Sequence, residues 1–323
     1  MKAIVYTKYG TPDVLRLKEV EKPAPKANEV LVKVHATSVN AADWHLLTAD
    51  IILVRLNMGL FKPKNTILGS DIAGTVEAVG SAVRQFKPGD VVFGDVFGNN
   101  FGAFAEYVTA LESDLALKPA NLGFEEAAAV PLAARTALQA LRDLGQIKPG
   151  QKVLINGASG GVGTFAVQLA RYYGADVTAV CSTRNVEMAL SLGAKHVIDY
   201  TKENLTQSGQ RYDLIFAVNG YHPIAAYQRA LSPTGRYVMI GGTLSQMFEV
   251  LLQGPRLSKK EGQQFSALTL KPNPADLPLL KGLLETCKVV PVVDKRYTLS
   301  EAPDAMRYFG EGHARGKVVI SVA

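Results

Sequence analysis

A glycine-rich turn between an apolar run and an amphipathic segment is the feature that most constrains the fold of this chain. Residues 153–155 are apolar and long enough for a buried strand, and small residues follow from 157 to 163. Residues 164–173 carry apolar side chains at helical spacing, which predicts a helix that buries one face. A strand, a glycine turn and a helix in this order are the context of a dinucleotide-binding turn, where the backbone approaches a pyrophosphate at the helix start.

The spacing inside the turn leaves two interpretations. It reads Ala158-x-Gly160-x-x-Gly163, with alanine at the first position of the usual G-x-G-x-x-G pattern. An ordinary tight connection between a strand and a helix is one interpretation. The dinucleotide interpretation is favoured because of the segment that follows.

That segment indicates which dinucleotide is bound. Residues 175–181 predict the next strand, and dinucleotide folds place a ribose-selecting side chain near its end. An NAD site needs a carboxylate there, whereas this chain has Ser182-Thr183-Arg184-Asn185. Hydroxyl groups and a guanidinium bind a 2′-phosphate, which a carboxylate would repel. The segment therefore favours NADPH over NADH, with a solvated loop cation as the alternative interpretation of Arg184.

Composition limits the class of protein. The chain has 323 residues, of which 47% are hydrophobic, enough for two domains with a sizeable core. No apolar run is long enough to span a bilayer, and residues 1–6 predict a strand rather than a signal peptide. Cys181 and Cys287 provide neither a disulfide framework nor a zinc cluster, which fits a cytoplasmic protein. The net charge of +6 suits an anionic cofactor and leaves peripheral membrane contact open, but no basic run forms a dedicated nucleic-acid site.

The chain is predicted to form two domains, one of them built from both ends of the sequence. Residues 1–124 hold strand-like runs and turns, which indicate a mostly β domain with a barrel-like core. Residues 125–264 begin with an alanine-rich helical stretch and continue as alternating strands and helices, typical of a doubly wound parallel (Rossmann) sheet. Residues 265–323 return to helix and strand, and the last strand, 317–322, is expected to rejoin the first domain. The predicted fold class is therefore α/β.

One apolar segment outside these motifs has no assigned role. It comprises Ile51-Ile52-Leu53-Val54 with Met58, Leu60 and Phe61. Its periodicity favours a buried helix. Alternatively, the segment could border an apolar pocket or form a membrane-facing lid.

Motifs along almost the whole chain carry a resemblance to one family. The longest covers residues 150–171 and includes Gln168 and Arg171. The supporting motifs are Val39-Asn40-Ala41-Ala42-Asp43, Gly69-Ser70-Asp71-Ile72-Ala73-Gly74, Phe86-Lys87-Pro88-Gly89-Asp90-Val91-Val92, Ala127-Ala128-Ala129-Val130-Pro131-Leu132 and Gly312-His313-Ala314-Arg315-Gly316-Lys317. The chain resembles the zinc-independent quinone oxidoreductase branch of the medium-chain dehydrogenase/reductase superfamily, which includes zeta-crystallin. On Val218-Asn219-Gly220 and Ser258-Lys259-Lys260 it is similar to the chloroplast-envelope-type oxoene reductases.

Zinc alcohol dehydrogenases belong to the same superfamily, and three positions separate them from this chain. By the resemblance, their catalytic ligands would be Cys, His and Cys where Asn40, Ser70 and Leu132 stand. None of these side chains binds Zn²⁺ well, and the four-cysteine structural lobe is missing, so no metal site is expected. Without a Lewis acid, hydride addition to a conjugated C=C is easier than alcohol oxidation, because the charge spreads onto a carbonyl oxygen as an enolate.

The resemblance also implies a set of site residues. Those implied to bind the cofactor are Thr136, Ser159, Gly160, Gly161, Val162, Gly163, Ser182, Thr183, Arg184, Tyr200, Asn219, Gly241, Gly242, Thr243 and Lys317. Those implied to form the catalytic site are Asn40, Asp43 and Trp44. Asn40 would donate to a carbonyl or orient a water. Asp43 has an alternative interpretation as a structural hydrogen-bond partner, and Trp44 as a core residue.

The expected function combines these inferences. A GroES-like catalytic domain (1–124 and 265–323) and an NADP-binding Rossmann domain (125–264) would reduce the C=C bond of an enone or a quinone with NADPH. Hydride would pass to the β-carbon, and the α-carbon would then be protonated. The alternatives are a one- or two-electron quinone reductase proper, and a non-catalytic NADPH-binding protein with a nucleic-acid or membrane partner. The resemblance further implies a homodimer.

Overall fold

The computed structural model describes most of the chain and divides it into two compact units. Apart from the side chain of Leu53, the described residues are 1–98, 101–205, 209–218, 222–242, 246, 248–250, 252, 254 and 262–322. The first unit comprises Met1–Ala133, Pro272–Cys287 and Pro291–Ala323, and the second comprises Ala134–Lys271 and Lys288–Val290.

The described strands and helices follow one another in a mostly β, then alternating, then mixed order. The strands are β1 (Lys2–Val5), β2 (Arg16–Glu19), β3 (Glu29–Val39), β4 (Asp71–Val79), β5 (Val91–Asp95), β6 (Tyr107–Leu111), β7 (Leu115–Leu117), β8 (Lys152–Asn156), β9 (Asp176–Cys181), β10 (His196–Asp199), β11 (Tyr212–Val218), β12 (Leu231–Ile240), β13 (Gln264–Ala267), β14 (Val293–Thr298) and β15 (Lys317–Ser321). The α-helices are α1 (Ala41–Thr48), α2 (Ile52–Met58), α3 (Phe124–Ala128), α4 (Pro131–Gln139), α5 (Gly161–Tyr172), α6 (Val186–Ser191), α7 (Ile224–Ala230), α8 (Asp276–Glu285) and α9 (Ala302–Gly310). Shorter 3₁₀ turns lie at Pro12–Val14, Glu112–Asp114, Thr183–Asn185 and Leu299–Glu301, and a π-helical turn at Ala140–Leu144.

The first unit is built around a sheet to which both ends of the chain contribute. Among the described residues its strand order is β14-β15-β3-β4-β5-β7, with β6 also paired to β3. Strand β15 lies antiparallel to β3, with Val318 opposite Val39. The expected return of the last strand to the first domain is therefore confirmed.

The second unit contains a parallel sheet of the doubly wound type. Its described strands run in the order β10-β9-β8-β11-β12-β13, and all neighbours are parallel. This is the dinucleotide-fold order, in which the chain reverses direction along the sheet between its first and fourth strands. The predicted α/β class with a Rossmann sheet is confirmed. Ligands of such sheets bind at the carboxyl ends of the strands, near that reversal.

The unit boundaries lie later in the chain than the predicted ones at 124 and 264. The backbone N–H of Leu132 donates to Asp71 Oδ1 at 2.7 Å, which attaches the start of α4 to the first unit. Gln139 Nε2 donates to the carbonyl of Lys271 at 2.7 Å, which attaches residue 271 to the second. Both bonds join residues far apart in the chain, and local composition does not record such bonds.

The apolar segment around α2 differs from expectation. The helix is present as predicted, and Val54 and Met58 pack against the core of the first unit. Its outer side is not buried: Leu56 is 62% exposed and Phe61, just beyond the helix, is 87% exposed. The favoured interpretation as a buried helix is thus wrong for this side. No helix among the described residues combines the length and apolar character needed to cross a membrane.

Candidate functional site

Two glycines of the glycine-rich turn are required by the fold itself. Gly157 follows β8 with φ at 86°, and a Cβ there would lie 2.0 Å from the carbonyl oxygen of Val218. A Cβ on Gly163 would lie 2.0 Å from the carbonyl oxygen of Gly157. These positions keep β8, β11 and α5 in close contact and would need glycine whether or not a ligand binds.

Gly160 has no such internal requirement. It precedes α5 with φ at −83°, a conformation open to any residue, and beyond its chain neighbours a Cβ there would meet no atom of the described residues closer than 3.8 Å, the distance to the Gly157 carbonyl oxygen. The N–H groups of Gly161, Val162 and Gly163 begin the helix and have no acceptor within it. A side chain at position 160 would therefore obstruct a ligand that approaches these donors, but it would not clash with the described residues of the protein. The half-buried Ser159 adjoins the same turn. This cradle fits the pyrophosphate of NADP(H).

The ribose-selecting turn contains one hydroxyl that can serve a phosphate and one that is already engaged. Ser182 Oγ accepts a hydrogen bond from Asn185 Nδ2 at 3.2 Å, which leaves the serine proton to be donated elsewhere. Thr183 Oγ1 donates to Asp199 Oδ2 at 2.5 Å. Arg184 is exposed at the surface of the turn. Ser182 and Arg184 therefore suit a 2′-phosphate, whereas the Thr183 proton is used within the protein.

Sequence reasoning missed Asp199. This residue ends β10, and the parallel register places it opposite Cys181 at the end of β9. Hydrogen bonds from Thr183 and then Thr201 hold the pKa of its carboxyl down, to about 2, so it is charged at neutral pH. The signal that identifies Asp199 is the pairing register of the two strands. It places Asp199 next to Cys181, although the two residues are 18 positions apart in sequence.

The other described cofactor candidates of the second unit lie at the same edge of its sheet or on α4. Tyr200 follows β10, is 60% exposed and borders a cleft of about 680 Å³. Gly241 and Gly242 follow β12 with φ at 65° and 105°. Thr136 lies half-buried on α4. A doubly wound sheet binds its ligand at the carboxyl ends of its strands. Asn219 and Thr243 lie outside the described residues.

The first unit holds a second polar cluster, which is buried. The Asp71 carboxylate accepts hydrogen bonds from Ser38 Oγ at 2.5 Å and Asn40 Nδ2 at 2.9 Å. Lys317 Nζ donates to Asn40 Oδ1 at 2.5 Å and to Asp71 Oδ2 at 3.1 Å. Asp71 is 0% exposed and Lys317 is 3% exposed. The ammonium therefore neutralises a carboxylate that would otherwise be costly to bury.

The placement of Asn40 and Lys317 changes the roles expected of them. Asn40 Nδ2 also donates to the carbonyl of Ser38 at 3.3 Å, so both amide protons are used inside the cluster. Donation from Asn40 to a substrate carbonyl, which the resemblance implies, is therefore not available in this arrangement. The lysine ammonium carries three protons, and the bonds to Asn40 and Asp71 account for two of them. No acceptor for the third proton is found among the described residues.

Asp43 and Trp44 occupy structural positions on α1. The Asp43 carboxylate is buried and accepts from the N–H groups of Asn40 and Gly69, each at 2.9 Å. Burial, opposed by these two hydrogen bonds, raises the pKa of Asp43 to about 7. The Trp44 ring packs against α9, where a Cβ on Gly310 would lie 2.2 Å from Trp44 Cη2. These contacts match the structural alternatives for both residues.

The side chains at the three zinc-ligand positions do not fit a zinc ion. The Asn40 amide oxygen accepts from an ammonium, and Leu132 presents only a backbone N–H to Asp71. Ser70 Oγ is buried, and no hydrogen-bond partner for it is found among the described residues. An ammonium next to the would-be ligand would repel a divalent cation. Nowhere in the described chain do three His, Cys, Asp or Glu side chains meet in a group able to hold a metal.

Comparisons with known proteins agree with the architecture. Residues 26–120 match the alcohol dehydrogenase GroES-like domain, and residues 192–320 match a family described as zinc-binding dehydrogenase. A chloroplast envelope quinone oxidoreductase homolog of Arabidopsis thaliana is 36% identical over 99% of this chain and 98% of its own length. An NADPH-dependent alkenal/one oxidoreductase of the same plant is 36% identical over 99% of this chain and 79% of its own length. The solved quinone oxidoreductase of Coxiella burnetii is 32% identical, with a TM-score of 0.90 over 100% of this chain and 99% of its own.

Proposed function

This chain belongs to the quinone oxidoreductase branch of the medium-chain dehydrogenase/reductase superfamily, and on that premise we propose how it works as an enzyme. It is an NADPH-dependent oxidoreductase that reduces the C=C bond of α,β-unsaturated carbonyls or quinones. One observation carries the cofactor assignment: Gly160 leaves the start of α5 open to a ligand, although no contact with the described residues requires glycine there. The relatives named for enone and quinone reduction support the substrate class.

The part played by the chain is to hold the cofactor and to stabilise negative charge. The first N–H groups of α5 bind the pyrophosphate, and Ser182 with Arg184 binds the 2′-phosphate. NADPH, when bound, supplies a hydride. The enolate oxygen that follows hydride addition needs a donor. In the buried cluster of the first unit, the Lys317 ammonium is the candidate for such a donor, since both amide protons of Asn40 are already used.

The test of this function is NADPH oxidation, followed by absorbance, over a panel of enones and quinones. Enones should be turned over to the saturated carbonyl. NADH in parallel should be the poorer donor, because the ribose-selecting turn presents a hydroxyl and a guanidinium. Treatment with a chelator should leave the rate unchanged, because the residues at the zinc-ligand positions do not fit zinc.

Three results would contradict parts of this proposal. Turnover of quinones with release of semiquinone and none of enones would identify a one-electron quinone reductase. Tight NADPH binding without turnover of any acceptor would favour a binding protein. Loss of activity on treatment with the chelator would show that the reaction depends on a metal.

The assembly and location of the protein are also part of the proposal. A homodimer is supported by the family, and by β13, which has no further strand beside it among the described residues and could pair with a second copy there. Light scattering should then give twice 34.7 kDa. A cytoplasmic location is supported by Cys181 and Cys287, both of which are free thiols. The exposed Leu56 and Phe61 support peripheral membrane contact, which vesicle flotation measures.

A further inference from the structure

A carboxylate lies beside the ribose-selecting turn, and it comes from the neighbouring strand. Asp199 at the end of β10 stands opposite Cys181, the last residue of β9, and Ser182 follows at once. Its Oδ2 is 2.5 Å from Thr183 Oγ1. A carboxylate near this place is what an NAD site uses to accept hydrogen bonds from the ribose. The chain thus carries, on another strand, the acid that is absent from the turn itself.

The hydrogen-bonding capacity of this carboxylate is occupied by the protein. Oδ1 accepts from the Thr201 N–H at 3.1 Å and the Thr201 hydroxyl at 2.7 Å. Oδ2 accepts from the Thr183 hydroxyl, and Lys202 Nζ lies 3.5 Å away. Asp199 is only 8% exposed. The charge is therefore present but is bound by three side chains of the protein instead of a ribose.

We propose that Thr183 sets the preference for NADPH as a positioning residue, because its hydroxyl holds the Asp199 carboxylate away from the 2′ position of the cofactor. This inference rests on the proposed function only in taking a dinucleotide as the ligand. With the Thr183 bond in place, the 2′-phosphate meets Ser182 and Arg184. With the bond removed, Oδ2 of Asp199 accepts from a 2′-hydroxyl and repels a 2′-phosphate.

The variant that tests this idea is Thr183→Val, which removes the hydroxyl and keeps the shape of the side chain. The probes are adenosine 2′,5′-bisphosphate and 5′-AMP, followed by NADPH and NADH, with dissociation constants measured by calorimetry. The wild-type chain should prefer the 2′-phosphorylated member of each pair. Thr183→Val should lose about tenfold of that preference, the scale of one hydrogen bond to a charged group.

The double variant separates the proposed cause from a general disturbance of the turn. If the Asp199 charge is responsible, Thr183→Val with Asp199→Asn should regain most of the preference lost by Thr183→Val alone. Thr178→Val is the control for the loss of a threonine hydroxyl nearby, because Thr178 lies on β9, the strand that leads into the turn, and is 4% exposed. It should keep the wild-type preference. Melting temperatures of all variants show whether each is folded.

Two results would overturn the inference. One is a Thr183→Val variant that keeps the wild-type preference, and the other is a double variant that regains none of it. Equal binding of both probes by the wild type would also refute it, since no preference would exist to explain. Strong NADPH preference with no turnover of any enone would refute the proposed reaction and leave the role of Thr183 standing.

Discussion

The glycine cradle makes a prediction that separates folding from cofactor binding at one atom. Gly160→Ala adds a single methyl group at the start of α5. Apart from its chain neighbours, the nearest atom of the described residues to that methyl is the Gly157 carbonyl oxygen at 3.8 Å, an ordinary contact distance, and φ at −83° suits alanine. The substitution therefore tests the space that a ligand would use.

The expected effect on stability is small. Replacing glycine by alanine at a compatible φ stabilises a protein by about 0.4–1 kcal/mol through the unfolded state. Alanine is the poorer residue immediately before a helix, which offsets this gain. The free energy of unfolding without cofactor should thus change by less than about 1 kcal/mol.

The expected effect on NADPH binding is larger, because the methyl group occupies the approach to the α5 N–H groups. We expect the dissociation constant to rise at least tenfold, equivalent to about 1.4 kcal/mol. At a cofactor concentration of about 100 times the wild-type dissociation constant, NADPH stabilises the wild type by about 2.7 kcal/mol. A tenfold weaker ligand would stabilise Gly160→Ala by only about 1.4 kcal/mol under the same conditions.

The assay is chemical denaturation with and without NADPH, together with direct calorimetry. Gly282→Ala is the control, since Gly282 lies inside α8 and a Cβ there meets no atom within 4 Å. It should retain the full stabilisation by NADPH. If Gly160→Ala is stabilised by NADPH as much as the wild type, the glycine serves only the turn and the assigned cradle is wrong.

The buried cluster supports two further predictions. Since burial raises the pKa of Asp43 from 3.8 to about 7, the folded state holds a proton that the unfolded state has lost, and stability should fall by about 4 kcal/mol as the pH rises between these values. Urea titrations at pH 5 and pH 8 should show about 3 kcal/mol of this loss, because part of it has already occurred by pH 5, and an equal pH dependence in Asp43→Asn would contradict the assignment. Lys317→Met leaves the Asp71 charge buried without its cation and should cost about 3–5 kcal/mol in the free energy of unfolding. Lys317→Met with Asp71→Asn should regain much of this loss, and a double variant as unstable as the single one would show that charge is not the cause.

The parts of the fold that sequence predicts are those whose determinants are close together in the chain. The glycine turn contains its own evidence, because strand, small residues and helix follow one another within 20 positions or so. Gly163 is the clearest case, since the atoms its Cβ would meet belong to Gly157 and Ala158 of the same turn. The parallel sheet followed from the same kind of alternation, repeated along the second unit.

The parts that sequence did not predict depend on pairing between distant segments. Asp199 reaches Thr183 only because β9 and β10 pair in one register, and no pattern in either strand reveals it. By the resemblance of its motif, Asn40 is predicted to donate to a substrate carbonyl or to orient a water. Its protons are used by groups that only the folded chain brings close, Asp71 among them. The outer side of α2 shows a further limit, because periodicity identifies a helix but does not reveal what covers it.

The bond between Asn40 and Lys317 joins residues 277 positions apart, and this has a consequence for biosynthesis. A ribosome adds roughly 5–20 residues per second, so Asn40, Asp43 and Asp71 emerge tens of seconds before their cation does. The second unit comes from the nearly continuous stretch Ala134–Lys271 and can form during that interval. The first unit cannot complete its sheet before β15 is made. Its buried Asp71 carboxylate therefore lacks the Lys317 ammonium until translation is almost complete. A chain that stalls before β15 would therefore contain a folded second unit and an incompletely folded first unit. Chaperones must protect nascent products of this kind.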